Sequence, residues 1–226
     1  MKNKKYELLK DDTKEINGAT LYRIKALKSF FLRGRGTVNA GDLGGYVQSE
    51  SNLSHEENCW IFDKACVYGD ALVFGDAKIY GKAEVFGDAK ICGDALVFGD
   101  AKIYGKAEVF DDAKIYGKAE VYGDAKIYGD ALVFGDAIVY GDAKICGGAE
   151  IKETGDYITI SGLGRRNRTT TFYKSKSGAI LVKCGCFSGT LKEFKNKVIE
   201  THKATKYTKE YLAAVQVAKI HFEVEE

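Results

Sequence analysis

The residues best equipped to hold a ligand lie in one short stretch: Gly162, Leu163, Gly164, Arg165, Arg166, Asn167, Arg168, Thr169 and Thr170. Glycines let backbone amides approach an anion, guanidinium groups present planar forks that match phosphate oxygens, and hydroxyls add further donors. The stretch therefore suits a phosphate or nucleotide ligand, with nucleic acid as a larger version of the same chemistry. It matches no known phosphate-loop spacing, and a solvated hairpin tip would be basic as well. Other reactive side chains are sparse. Cys184 and Cys186 could supply half of a thiolate metal site, but zinc needs four ligands and no second Cys or His pair stands nearby, so a packing role is expected and no metal is assigned. Alternation would put both cysteines on one strand face.

The element that must carry this stretch is set by a repeat. From Ile61 to Glu150 the chain reads as fifteen six-residue units without a gap, such as VFGDAK and IYGKAE, with Ile or Val always first and Ala always fifth. Ala and the β-branched residue share one face of a strand, while Gly followed by Asp or Lys makes a corner, where Gly tolerates positive φ.

The finer genetic period is 12 residues, so a flat two-sided coil competes with a triangular coil of 18. Residues one coil apart are about 4.8 Å from each other, and like charges there are unfavourable. A 12-residue coil would stack Lys78, Lys90, Lys102, Lys114 and Lys126 in one file. An 18-residue coil stacks Glu84, Lys102 and Glu120, then Lys90, Glu108 and Lys126, then Lys82, Asp100, Lys118 and Asp136, with alternating signs. The three-sided coil is therefore expected, as five turns roughly 24 Å long. One acidic file survives, Asp76, Asp94, Asp112 and Asp130, read mainly as corner Asx bonding, with a cation site as the lesser alternative. Position two faces outward, which places Tyr68, Phe86, Tyr104, Tyr122 and Tyr140 along one side and Phe62, Tyr80, Phe98, Tyr116 and Phe134 along another. These ladders either stack on themselves or form an interface with a second copy or a partner.

Units of this kind, aliphatic first and small fifth, resemble the hexapeptide repeats of left-handed parallel β-helices. The stretch from Gly41 to Ala65 and the C-terminal pattern RNRTTTFY…CGCFSGTLKEF are similar to uncharacterised hexapeptide-repeat proteins of bacteria and their phages. The resemblance implies a left-handed hand for the coil. It also implies an acyltransferase as the alternative function, with a catalytic His near an inter-coil loop and acyl-CoA between subunits. The only histidines, His55, His202 and His221, lie outside the fifteen units, which contain no insertion for such a loop, so no catalytic residue and no cofactor is assigned.

Three regions follow: an N-terminal β cap over residues 1–60, the coil over 61–150, and a small α+β domain of ββαα type over 151–226. The fold class is mainly β. In the last domain Thr190 with Glu193 forms a capping box for a helix through about His202, and Thr208 caps a second helix carrying Tyr211, Leu212, Val215 and Ile220. The chain has 34 basic and 32 acidic residues, but the three regions carry net +2, −6 and +6. No apolar run approaches the length of a membrane span, and the first residues lack a signal peptide's apolar core, so a cytoplasmic location in a bacterial cell is expected. The functional expectation is a non-catalytic scaffold, oligomeric, whose C-terminal domain binds a phosphate-bearing ligand or a protein partner. If the gene is phage-borne, a sponge or inhibitor of a host defence is its concrete form.

Overall fold

The computed structural model describes residues 4–224. Each unit of the repeat places two residues in a strand, one outward and one inward, so the chain winds through three parallel sheets. Glu84 pairs with Lys102 and Lys102 with Glu120, while Lys90 pairs with Glu108 and Glu108 with Lys126. This is the 18-residue, three-sided coil that the charge columns demand. Backbone N–H groups donate from one coil to the next, as from Lys102 to the Ala119 carbonyl at 2.9 Å and from Tyr104 to that of Val121 at 3.0 Å. The shaft is filled by the repeat's Ala and Ile or Val side chains, including Ala101, Ile103, Ala119 and Val121, all with no exposed surface. At the corners Gly is needed twice over. Gly75 has φ +69°, and a Cβ there would come within 2.8 Å of the Gly93 nitrogen in the next coil.

The sequence predicts five turns and the structure has six. The additional turn comes from the N-terminal region, where the repeat signature is absent. That region contains β1 (Tyr6–Ile16), β2 (Ala19–Ala26), β3 (Phe30–Leu32), β4 (Gly36–Val38) and β5 (Leu43–Val47). β1, β2 and β5 pair antiparallel in that order, and β5 then runs parallel to Cys66–Val67 as the first rung of one face. Leu53 bridges Val73 and Trp60–Ile61 pairs with Lys78–Ile79, completing the turn. Val47 lies against Val67, and Leu53 against Val73, twenty positions on, whereas Ile61 lies against Ile79, eighteen positions on. Two extra residues therefore sit in the loop between Leu53 and Ile61, which holds His55.

Beyond Glu150–Ile151 the C-terminal region has four strands where two were expected: β6 (Tyr157–Leu163), β7 (Arg168–Lys174), β8 (Ile180–Cys184) and β9 (Phe187–Thr190), in one antiparallel sheet. The difference arises because Gly178 and Gly185, at φ +82° and +58°, fold RTTTFYKSKSGAILVKCGCF back on itself twice. Two helices follow, α1 (Leu191–His202) and α2 (Lys206–Phe222). Thr190 and Glu193 form the expected capping box. The N-cap of α2 is Thr205 rather than Thr208, whose hydroxyl donates to the Lys203 carbonyl. Phe172, Val182 and Cys184 turn toward the helices, whereas Tyr157 and Tyr173 on the opposite face of the sheet join the core of the shaft. Among the described residues, no helix is long and apolar enough to cross a membrane.

Candidate functional site

Strands β6 and β7 form a hairpin whose turn, residues 164–167, carries the basic stretch. Asn167, at φ +47°, donates its N–H to the Gly164 carbonyl at 3.2 Å and closes the turn. The turn is docked on α2. Gly164 is buried, its N–H donates to the Glu210 carboxylate at 3.0 Å, and a Cβ on it would strike the Tyr211 ring. Arg165, Arg166 and Asn167 are exposed at the tip, with Gly162 at their edge. The other predicted residues diverge from them. Arg168 lays its guanidinium against Gly185, and Thr169 shares a 2.9 Å hydrogen bond with Ser161. Thr170 is fully buried, and its hydroxyl lacks a partner. An anion at the tip would thus meet Arg165, Arg166 and Asn167, while Glu210 already holds the Gly164 amide. Glu210 was not legible in the sequence, because it lies 46 residues from the glycine it holds.

The aromatic ladders stack face to face. Along one side Tyr68, Phe86, Tyr104, Tyr122 and Tyr140 follow at centroid distances of 5.0, 4.9, 4.8 and 5.6 Å. Along another Tyr80, Phe98, Tyr116 and Phe134 follow at 4.7 to 5.0 Å. Phe62 does not continue that stack as a ring pair. Instead Arg35, at the tip of the β3–β4 hairpin, sits over Phe62 and Tyr80 at 4.2 and 4.4 Å, a cation–π clamp. Each ring covers a neighbour's face, so most are half-buried and only Tyr140, at the end of its ladder, is 49% exposed. Tyr68 and Tyr104 donate to the carboxylates of Glu84 and Glu120 at 3.2 and 3.1 Å. Burial, with that carboxylate beside it, pushes each phenol up to about 12.

The acidic file does not serve as expected. The carboxylates that bond corner amides stand in the Gly column: Asp63 accepts from the Gly81 N–H and Asp111 from that of Gly129. Asp94, in contrast, faces Arg33 at 3.6 Å and the Lys78 ammonium at 3.8 Å.

Of the histidines and cysteines, His55, Cys59, Cys66, Cys146 and Cys184 are drawn into packing, whereas Cys186, for which a packing role is expected, and His221 are exposed. His55 stacks on Tyr6 at 4.2 Å, its Nδ1 accepts the Lys5 N–H at 3.3 Å, and its Nε2 lies 3.5 Å from Glu50. Burial holds this imidazole below its usual range. His202 stacks on Tyr211, and His221 meets the Gly155 carbonyl at 2.8 Å. Cys184 is buried at the end of β8 and Cys186 is exposed beyond Gly185, so the strand stops before the two can share a face. Among the described residues, no cluster of three or more His, Cys, Asp or Glu could hold a metal ion.

Together, a shaft of parallel coils with antiparallel strands at either end defines a β-solenoid repeat protein. One family model, described as the YdcK Beta solenoid repeat, matches residues 125–141, just short of one coil. The chain is similar to that repeat there. No curated protein matches it.

Proposed function

We propose that this chain is a non-catalytic binding scaffold, in which the solenoid is a rigid post and the C-terminal domain presents a receptor for a phosphate-bearing ligand at the β6–β7 hairpin. The observation that carries this reading is the docking of the turn: Glu210 and Tyr211 of α2 hold Gly164, so the exposed Arg165 and Arg166 project from a fixed backbone. A preorganised pair of guanidinium groups loses less freedom on binding an anion than a mobile tip would. The hexapeptide resemblance, with its left-handed coil and its bacterial and phage context, fits a sponge or inhibitor of host nucleotide signalling. Assembly of copies would use the exposed flank of Tyr140 with Ile138, which are 49% and 37% exposed. The test is isothermal titration with mono-, di- and cyclic nucleotides on the native chain and on Arg165→Ala with Arg166→Ala. The double variant should lose most of the affinity while its melting temperature barely moves, since exposed Arg contributes little to folding. Absence of heat from the native chain at millimolar nucleotide would defeat the reading.

A further inference from the structure

Among the described residues, the two longest outer strands of the fold are guarded differently. β1, outermost in the N-terminal sheet, carries Lys10, Asp11, Asp12, Lys14 and Glu15, and its register shifts between Leu9 and Thr13. Charge and an irregular ladder both discourage another chain from pairing there. β6 is outermost in the C-terminal sheet, and among the described residues no strand lies beyond it. It reads Tyr-Ile-Thr-Ile-Ser-Gly-Leu, with no charge and no proline, and its pairing with β7 is regular from Tyr157 to Ile160. An outer strand turns alternate N–H and C=O groups away from its neighbour, so water or another extended strand must satisfy that row.

The surfaces beside this edge are apolar. α2 runs antiparallel along β6: the Tyr211 hydroxyl donates to the Leu163 carbonyl at 3.4 Å, and His221 Nε2 meets the Gly155 carbonyl at 2.8 Å. Val217 stands one turn before His221 on that helix face, and Val217 and Ile220 are 50% and 69% exposed. On the opposite side of the sheet Tyr140 meets Tyr157, with ring centroids 6.4 Å apart, and Ile138 lies beside it on the same strand. The two ends of the edge differ in charge. Arg165 and Arg166 are exposed past the end of β6, whereas Glu153 is exposed before its start and Glu223 just after α2. Lys174, close by, is already paired with Asp156 at 2.8 Å, and the stem of Lys152 lies against Gly135 in the shaft.

We propose that β6 pairs antiparallel with β6 of a second copy about a two-fold axis near Thr159, joining the two C-terminal sheets into one. The axis stands perpendicular to the sheet, so both α2 helices fall on one side and both shafts on the other. Val217 and Ile220 of each copy then face those of the other. Antiparallel pairing sets the end of each β6 beside the start of its mate, which brings Arg165 and Arg166 toward Glu153 and Glu223 of the second copy. The uncharged run between these ends puts no like charges opposite each other. This rests on the assembly of copies proposed above and supplies its contact; it does not depend on the phosphate ligand.

Light scattering on the full-length chain should show a dimer at about tens of micromolar that dissociates on dilution. Thr159→Lys with Ser161→Lys, at two exposed positions, puts like charges on the edge. It should weaken the dimer at least about tenfold while the melting temperature of the dilute chain holds. Hydrogen exchange on the native chain gives a second measure. The outward amides between Tyr157 and Ser161 should exchange at least about tenfold more slowly at high chain concentration than at low, and those of β9, at the other edge of the sheet, should not change. Three results would overturn the proposal: a strict monomer, which also removes the assembly reading; a dimer undiminished by the two lysines; or β6 amides whose exchange ignores concentration. A dimer that withstands those lysines but is lost in Ile138→Lys would leave assembly through the Tyr140 flank standing and sink the strand pairing.

Discussion

Lys5 shows how much a single buried cation can do at the end of a solenoid. The first coil has no coil before it, so carbonyls that would accept from a preceding turn need other donors. The Lys5 side chain, fully buried, donates to the carbonyl of Cys59 at 2.9 Å and to those of Glu56 and Glu57 at 3.4 Å, and it touches the Cys59 sulfur at 3.4 Å. Tyr6 adds a hydroxyl donor to the Leu53 carbonyl at 2.7 Å, and Asn52 donates to the carbonyls of Gly69 and Ala71. Lys5→Met keeps the volume and removes the donors, so unfolding free energy should drop by about 2–4 kcal/mol in urea titrations. The pH dependence is a sharper check. Burial lowers the pKa of folded Lys5 below its ordinary 10.5, so between the two values the unfolded chain binds more protons and native stability rises with pH. Methionine does not titrate. The gap between native and Lys5→Met proteins should therefore widen as pH climbs toward 10.5, and a narrowing gap would mean that the ammonium is held by attraction rather than strained by burial. Nothing near Lys5 in the sequence announces this role, because its acceptors lie more than fifty residues away.

At the scale of the coil the sequence was far more explicit, since each rung meets its neighbour at a fixed offset and charges in register must coexist. Alternation along Glu84, Lys102 and Glu120 selected 18 residues over 12, and the pairing bears it out. The sixth turn escaped because residues 43–61 have neither the Gly corner nor the Ala position, only inward apolar residues at matching places, Val47, Leu53 and Ile61. The basic stretch was legible as composition but not as geometry. Strand alternation sends Thr170 into the core, and Gly185 draws Arg168 aside. A double substitution reads the register directly. Glu84→Lys with Glu120→Lys sets three lysines in adjacent rungs about Lys102 and removes the acceptors of Tyr68 and Tyr104. Stability should fall by about 1 kcal/mol or more at low salt, and the repulsive part should return at high salt, leaving the lost hydrogen bonds as a salt-independent remainder. A loss wholly insensitive to salt would contradict the columns.

Across the whole molecule, a solenoid is a stack whose every coil relies on the next, so its ends are where it can grow or fail. Each coil's outgoing N–H groups find carbonyls in the following turn until the last one. There the C-terminal region supplies side-chain acceptors instead. Thr154 accepts from the Ile138 N–H at 3.1 Å, the Tyr157 hydroxyl from that of Tyr140 at 3.1 Å, and Thr171 from that of Lys144 at 3.0 Å. Tyr157 and Tyr173 lie over the apolar interior, and Tyr173 contacts the Cys146 sulfur at 3.2 Å. The domain proposed to bind ligands is therefore also the lid of the shaft, and its strands β6 and β7 serve both roles from opposite faces. Ending the chain after Ile151 would uncover Val139, Ile145 and Ile151 together with a row of donors, an edge that can extend by adding another copy. Such a truncated chain should form larger, concentration-dependent species in light scattering. Its last coil should lose protection in hydrogen exchange, while coils near Ile103 keep theirs, because contacts reach only nearest neighbours. A truncated chain that stayed monomeric with a fully protected last coil would show that the shaft closes without the lid.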